Sequence, residues 1–265
     1  ISKSCGLTTE ILDVDWGRGI HADEVDTLLS TGKFDTFAMV HNETSTGTLS
    51  DLIEISELLK EKYPEIIWIV DAVSSMAGIK IELDRLGIDF ILSSTQKAWG
   101  LPAGFSVFSV SEKFRNVSKT IETKGYYFDL AIYDKYYEKM QTPSTPSIPH
   151  MYGLKYILAK IQEEGLENRW QRHRDNAKFT RSWALGKGQS LFPEKGYESD
   201  TITCIQNDAE WDINYISDKL LEKGFRMDRG YGKLKGKAFR IAHMGNVLRS
   251  DLEEYLIYFD EVLNG

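Results

Sequence analysis

The sequence has few of the residues that mark several classes of protein. It contains only two cysteines, Cys5 and Cys204, far apart and in neither a CxxC nor a metal-ligand spacing. A disulfide framework and a cysteine-ligated metal site are therefore not predicted, and a reduced, cytoplasmic protein is expected. No apolar run approaches the roughly 20 residues of a membrane-spanning helix, so no membrane partner is predicted.

An excess of positive charge is also lacking. The formal net charge is −8, whereas a nucleic-acid-binding surface needs a basic footprint. Basic residues do concentrate in residues 226–240. A phosphate-binding loop would need glycine at Tyr231 and Ser or Thr at Ala238, so this stretch predicts instead a flexible lid or solvated loop that would favour anionic substrates.

Apolar residues make up 42% of the chain, enough for a substantial core, and they recur with two periods. In the first 110 residues, runs typical of strands alternate with stretches of helical spacing. Strands are predicted over residues 10–15, 36–41, 66–71, 88–93 and 104–110, and helices over 22–30 and 49–63. Repeated strand–helix units predict an α/β fold with a mostly parallel sheet.

The pattern changes after residue 111. Three prolines within residues 141–149 fix φ and remove hydrogen-bond donors, so a stiff extended connector is predicted there. Helices over 150–164 and 166–185 follow, and most of the charged run 169–175 is expected to be a solvated face. Strands over 201–206, 225–227 and 238–242, with helices over 213–223 and 251–263, predict a compact α+β unit. We therefore predict a large domain over residues 1–146 and a smaller one over 147–265.

Lys97 lies in a short polar loop after the apolar run 88–92. Ligands of open α/β sheets bind at the carboxyl edge of the strands, where this loop begins. Lysine is also the side chain that forms Schiff bases with carbonyl compounds. On spacing alone, a solvated loop lysine is the better interpretation. The interpretation of Lys97 as a ligand-binding residue rests on Thr44 and Asp71. Thr44 follows the predicted strand 36–41, and Asp71 ends the predicted strand 66–71.

Asp71 and Thr44 each have an ordinary structural explanation as well. A carboxylate at a strand end caps the next turn, and small hydroxyls before a helix cap that helix. The alternative for Asp71 is to keep the ring nitrogen of pyridoxal phosphate protonated. The hydroxyls near Thr44 suit a phenolic oxygen or a phosphate. Each signal is weak alone, but three strand ends that deliver Thr44, Asp71 and Lys97 to one edge predict a ligand site.

The segments that carry these residues resemble a known family. HNETSTG at residues 41–47, VDAVSSMAG at 70–78 and SSTQKAWGLPAG at 93–104 are similar to the signature segments of the class V, fold-type I, pyridoxal-phosphate-dependent aminotransferases. FRIAHMGN at 239–246 extends the match across nearly the whole chain. Within this class, the sequence most resembles the alanine–glyoxylate / serine–pyruvate aminotransferases, with phosphoserine aminotransferase as a close alternative.

The resemblance implies a role for each matching residue. Lys97 would form a Schiff base with pyridoxal phosphate and later move the proton at the substrate Cα. Asp71 would pair with the pyridinium nitrogen, and Val73 would lie against the ring. Thr44 would hydrogen-bond the phenolic oxygen, and Gln96 would reach the phosphate.

Residues further along the chain complete the implied site. Arg240 would grip the substrate α-carboxylate, since a guanidinium binds a carboxylate through two parallel hydrogen bonds; the alternative is an ordinary arginine in a surface ion pair. Thr142 and Thr145 match positions that contact the phosphate of the neighbouring subunit's cofactor, which implies a homodimer with shared active sites. The family also begins with a glycine-rich phosphate-binding loop, so we expect an upstream segment to be absent from this sequence.

The implied activity is transfer of an amino group from alanine or serine to glyoxylate or pyruvate. Two other interpretations stay open. A cysteine desulfurase-like lyase would need a nucleophilic cysteine in a mobile loop, where neither Cys5 nor Cys204 is expected. A scaffold retained only for binding would not need Asp71, Lys97 and Arg240 together. His41 and His243 are interpreted as structural residues.

Overall fold

The computed structural model describes residues 2–122 and 124–265. The strands are β1 (Thr36–Val40), β2 (Asn42–Glu43), β3 (Thr48–Leu49), β4 (Ile67–Asp71), β5 (Phe90–Ser94), β6 (Ser106–Val110), β7 (Ile202–Gln206) and β8 (Ala238–Ala242). A four-stranded sheet has the order β1–β4–β5–β6, while β2 pairs with β3 and β7 with β8. The predicted α/β architecture with a mostly parallel sheet is confirmed, because β1, β4 and β5 run parallel.

The helices are α1 (Ala22–Leu29), α2 (Leu52–Lys62), α3 (Leu83–Leu86), α4 (Glu112–Thr120), α5 (Leu130–Tyr137), α6 (Ile148–Glu164), α7 (Leu166–Gly186), α8 (Ile213–Glu222) and α9 (Arg249–Asn264), with short 3₁₀ turns at Ser2–Cys5 and Gly232–Leu234. Asp51 and Asp212 accept hydrogen bonds from the first free amides of α2 and α8, which fixes where these helices begin. Within residues 2–122 and 124–265, no helix has both the length and the apolar character needed to cross a membrane.

The sheet departs from a simple series of strand–helix units at β6. This strand pairs antiparallel with β5, and only a turn-rich loop separates the two. A parallel partner would need a longer crossover connection, usually a helix, and the chain between β5 and β6 contains none. The loop that makes this turn contains Lys97.

Two of the predicted strands are wrong. Residues 10–15 have no regular secondary structure and pair with no strand of the described chain. Their alternation reflects one-sided burial, since Leu12 packs against the core while Ile11 is exposed. Residues 225–227 likewise form no strand; the backbone pairing next to them is an isolated bridge between Asp228 and Arg240 of β8. Helices α4 and α5 were not predicted, because neither has a fully buried residue to mark an apolar face.

Buried apolar side chains form two main clusters. One packs α1 and α2 against the central sheet and includes Val25, Ile55, Trp68, Val70 and Ile91. The other packs α8 and α9 against β7 and β8 and includes Ile205, Leu220, Phe239, Leu256 and Phe259. The boundary at residues 146/147 stays a prediction, since polar contacts such as that between the Thr201 hydroxyl and the Ser74 carbonyl join the two parts.

The expectation that the charged run 169–175 is mostly a solvated face is wrong at two positions. Arg169 is 1% exposed and His173 is 0% exposed. Arg169 donates from Nε to the Ala77 carbonyl at 2.7 Å and from Nη2 to the Ala98 carbonyl at 2.8 Å. These buried residues are one helical turn apart on α7, so one polar stripe of this helix faces the interior.

Candidate active site

The carboxyl ends of three parallel strands meet at one edge of the central sheet. Asp71 lies beside Val40 of β1 and beside Leu92 of β5 in the strand register. The segments that leave these strands carry Thr44, Asp71 and Lys97. The Thr44 hydroxyl is in hydrogen-bond contact with the hydroxyl of Ser74, just past β4. The predicted convergence of strand ends is therefore present in the structure.

Lys97 is partly buried in the turn that follows β5. Within the described residues, its Nζ has neither a hydrogen bond nor an ion pair. Burial lowers its pKa, the positive charge of Arg240 lowers it further, and the carboxylates of Glu43 and Asp228 oppose this effect in part. A lower pKa increases the fraction of neutral amine, which is the nucleophilic form.

The main chain around Lys97 is held from several sides. The amide of Gly100 donates to the Lys97 carbonyl at 2.9 Å, and the Trp99 indole donates to the Ser93 hydroxyl at 3.1 Å. The Arg169 guanidinium holds the Ala98 carbonyl. This loop therefore presents Lys97 from a fixed backbone.

Asp71 makes the predicted turn-capping contact and still has one carboxylate oxygen available for a ligand. Its Oδ1 accepts a hydrogen bond from the Val73 amide at 2.9 Å, which is the turn-capping contact. In the described chain, Oδ2 has no hydrogen-bond partner, so one oxygen of a partly buried carboxylate stays available. Val73 is also partly buried, and its carbonyl accepts from the Ser93 hydroxyl at 3.4 Å.

Arg240 projects from β8 toward the segment that holds Thr44. It donates from Nε and Nη2 to the carboxylate of Asp228, at 2.8 and 2.5 Å, and from Nη1 to the Thr44 carbonyl at 2.7 Å. Its side chain is only 12% exposed, so this is not an ordinary surface ion pair. Burial acts to lower the pKa of Arg240, but the hydrogen bond and charge of Asp228 outweigh it and the pKa is raised.

Sequence reasoning missed Asp228. Burial acts to raise its pKa, but the hydrogen bond and charge of Arg240 outweigh this and hold the pKa below its usual range. One feature of the sequence could have identified Asp228: it is the single acidic residue in the basic stretch 226–240. That stretch is also more firmly anchored than a lid, because Arg229 is ion-paired with Asp218 and Leu234 is buried.

Three predicted residues are not tied to this edge by any contact within the described chain. Gln96 is exposed in the Lys97 turn. Thr142 and Thr145 are exposed in the connector before α6, where the Thr142 hydroxyl donates to the Ser144 carbonyl at 2.7 Å. The roles that the sequence implies for these three residues stay predictions.

The side chains of Cys204, His41 and His243, near this edge of the sheet, are buried. Cys204 is buried in β7 and stands opposite Arg240 in the β7–β8 register. Burial raises the pKa of its thiol to about 12, so it is not a thiolate nucleophile at neutral pH. His41 and His243 are fully enclosed, and burial lowers the pKa of each to about 3.

Comparison with known proteins agrees with this geometry. Residues 1–207 match the family model described as aminotransferase class-V. An uncharacterised aminotransferase of Methanocaldococcus jannaschii is 38% identical over 240 residues, which are 88% of this chain and 61% of that protein. Serine–glyoxylate aminotransferase of Arabidopsis thaliana is 33% identical, with 92% of this chain and 63% of the relative covered. The chain therefore spans less than two thirds of the length of these relatives.

A solved structure gives the same result for the fold. Alanine–glyoxylate aminotransferase from Nostoc has a TM-score of 0.87 and 31% sequence identity to this chain, covering 94% of this chain and 67% of that one. The predicted fold class, the α/β fold of the type I pyridoxal-phosphate transferases, is confirmed by this likeness. Since the family model covers most of the residues, including the strand ends with Thr44, Asp71 and Lys97, the chain belongs to the class-V aminotransferase family.

Proposed function

We propose that this chain forms the catalytic part of a pyridoxal-phosphate-dependent aminotransferase that moves an amino group from alanine or serine to a small 2-oxo acid, glyoxylate or pyruvate. The observation that carries the proposal is Lys97, a partly buried amine with a lowered pKa and no partner within the described residues. Relatives named serine–glyoxylate and alanine–glyoxylate aminotransferase support the choice of substrates.

The side chains at the strand ends fit pyridoxal phosphate in chemical type. The cofactor needs an amine for its aldehyde, a carboxylate for its ring nitrogen and a donor for its phenolic oxygen. Lys97, the free Oδ2 of Asp71 and the hydroxyl of Thr44 supply these groups at one edge. Val73 would lie against the ring and Gln96 would reach the phosphate.

When bound, pyridoxal phosphate supplies an electron sink for negative charge at the substrate Cα. Lys97 would hold the cofactor covalently and, once released by the substrate amine, its Nζ would take and return the Cα proton. Asp71 would keep the ring nitrogen protonated, and the surrounding partly buried strand ends would strengthen that ion pair by excluding water. Arg240 would orient the substrate through its carboxylate.

The proposed enzyme is a cytoplasmic homodimer with shared active sites, with Thr142 and Thr145 reaching the partner's cofactor phosphate. The chain has large exposed apolar side chains close to this connector, which support burial against a second copy. Phe128, Tyr137 and Met140 are 82%, 77% and 87% exposed. Light scattering on the purified protein is expected to give twice the mass of one chain, and the mass of a single chain would contradict the proposal.

A covalent-labelling experiment tests the assignment of Lys97. The purified full chain is incubated with pyridoxal phosphate and reduced with borohydride, and its peptides are analysed by mass spectrometry. The adduct is expected on Lys97, together with a visible absorbance band before reduction. Lys97→Ala is expected to lose both, whereas Lys195→Ala, which removes an exposed loop lysine, keeps them. A wild-type chain with neither band nor adduct would exclude the enzymatic function.

The choice of amino donor is tested on the loaded protein. Alanine, serine and phosphoserine are added singly, and loss of the visible band identifies the donors that react. Alanine and serine are expected to react fastest, and a preference for phosphoserine would favour the phosphoserine alternative. The cysteine desulfurase alternative is disfavoured, because Cys204 is buried with a pKa of about 12.

A further inference from the structure

Asp228 brings a carboxylate to Arg240 from within the chain itself. Asp228 Oδ1 accepts from Nε at 2.8 Å and Oδ2 accepts from Nη2 at 2.5 Å, so the carboxylate lies along one edge of the planar guanidinium. An isolated backbone bridge joins the same two residues. A substrate carboxylate that used this edge of Arg240 would need the two donors that Asp228 already occupies.

The turn that carries Asp228 is fixed in place. Asp228 Oδ1 also accepts from the Gly230 amide at 2.9 Å. Gly230 has φ +87°, and a Cβ added there would lie 2.6 Å from the Leu234 carbonyl oxygen, so only glycine fits. The guanidinium of Arg229 is bonded to Asp218 of α8 at 2.6 Å. The Asp228 carboxylate is therefore a built part of the site and not a mobile counter-ion.

Arg240 keeps only part of its capacity to bind an anion. A guanidinium has five N–H donors. Two of them donate to Asp228, and a third donates to the Thr44 carbonyl at 2.7 Å. Two donors remain, and the positive charge of Arg240, whose side chain is 12% exposed, is already balanced by the carboxylate of Asp228, which is 41% exposed. One further carboxylate can hydrogen-bond to the remaining donors, but it gains little electrostatic attraction because the Arg240–Asp228 pair has no net charge.

We propose that Asp228 is a specificity-determining residue that selects substrates with a single carboxylate. The proposal rests on the amino-transfer function proposed above. Once the substrate α-carboxylate uses the two remaining donors, a second carboxylate finds no free donor on Arg240 and lies near the fixed negative charge of Asp228. The attraction that would accept a dianion is thereby replaced by repulsion, which is how binding sites reject a close competitor. Acidic amino acids and dicarboxylic 2-oxo acids are disfavoured relative to substrates of the size of alanine or serine.

Binding of unreactive acids measures this selection without catalysis. The full chain and its Asp228→Asn variant are titrated calorimetrically with acetate and with succinate. Asparagine keeps the size of the side chain and an oxygen for the Gly230 amide, but it removes the charge. The Kd for succinate is expected to fall about tenfold, with a smaller change for acetate. Asp84→Asn is the matched control, because it removes an exposed carboxylate of α3 that contacts neither Arg240 nor Asp228, and it is expected to leave both affinities unchanged.

An unchanged ratio of the two affinities in Asp228→Asn would overturn the proposal, as would failure of this variant to bind either acid. Asp228→Ser, which also keeps an acceptor without the charge, decides the matter if the asparagine variant does not fold. A chain that takes no cofactor at Lys97 overturns the proposed function but still yields this ratio. On the loaded protein, kcat/KM for L-aspartate relative to L-alanine is expected to rise in Asp228→Asn.

Discussion

Arg169 Nη2 donates a 2.8 Å hydrogen bond to the carbonyl oxygen of Ala98, the residue that follows Lys97. The same guanidinium holds the Ala77 carbonyl through Nε and is ion-paired with Glu164 through Nη1 at 2.9 Å. A helix near the middle of the chain thus fixes the backbone of the turn after β5. Arg169 therefore links α7 to the loop that carries Lys97 and to the loop after β4.

Replacement of Arg169 by methionine is expected to lower the free energy of unfolding by about 3 kcal/mol, because the change breaks a buried pair and leaves two carbonyls without a donor. Urea unfolding followed by circular dichroism measures the loss. Arg174→Met on the same helix removes an exposed arginine that contacts Gln171 and is expected to change the value by less than about 0.5 kcal/mol. Equal effects of the two variants would contradict a special role for Arg169.

His173 is fixed as a neutral imidazole by its two hydrogen bonds. Nδ1 donates to the Arg169 carbonyl at 2.7 Å, and Nε2 accepts from the Gly245 amide at 3.0 Å. A proton on Nε2 would turn this acceptor into a second donor facing an N–H. Burial lowers the pKa of His173 to about 4, the charges of Arg172 and Arg169 act in the same direction, and the hydrogen bond to the Arg169 carbonyl opposes them.

The lowered pKa of His173 makes stability depend on pH. Above pH 6.5 the imidazole is neutral in both states, but between pH 6.5 and 4 only the unfolded chain takes up the proton, so stability is lost as the pH falls. Between pH 7.5 and 5, wild type is expected to lose about 2 kcal/mol more free energy of unfolding than His173→Gln. Urea titrations at both pH values give this difference, and parallel losses in the two proteins would refute it.

The strand ends of the site were predictable from the sequence, and the contacts between distant segments were not. Apolar runs that end in polar residues mark Thr44, Asp71 and Lys97, and parallel crossovers put such ends at one edge. Nothing in the local pattern distinguishes buried Arg169 from its exposed neighbours. Its burial depends on carbonyls from Ala77 and Ala98, which the chain brings together only when it folds.

The same limit applies to the pair of Asp228 and Arg240. Both residues lie in the basic stretch 226–240, whose charged side chains were expected to be solvated. The family resemblance assigns a role to Arg240 but none to Asp228. The pairing follows from the isolated backbone bridge between the two residues and from the tight turn at Gly230. Period-based reasoning predicted a strand over 225–227 and therefore did not detect this turn.

Gly230 and Gly236 form a matched pair for testing that turn. Both have left-handed backbones, with φ +87° and +76°, but an added Cβ meets the Leu234 and Ala238 carbonyl oxygens at Gly230 and nothing within 4 Å at Gly236. Gly236→Ala is expected to cost about 1 kcal/mol for the backbone alone. Gly230→Ala is expected to cost about 2 kcal/mol more because of the steric overlap. Thermal unfolding of the two variants compares them, and equal melting temperatures would rule out the tight turn.

The two cysteines are expected to differ sharply in reactivity. Cys204 is buried, its Sγ lies 3.8 Å from the Ser45 carbonyl oxygen, and burial raises the pKa of its thiol to about 12. Cys5 is exposed. Because only an accessible thiolate reacts with iodoacetamide, the native protein at pH 8 is expected to incorporate label at Cys5 alone, and the urea-unfolded protein at both. Peptide mass spectrometry locates the label. Rapid labelling of Cys204 in the native protein would contradict its burial in β7. That result would also favour the cysteine desulfurase-like alternative.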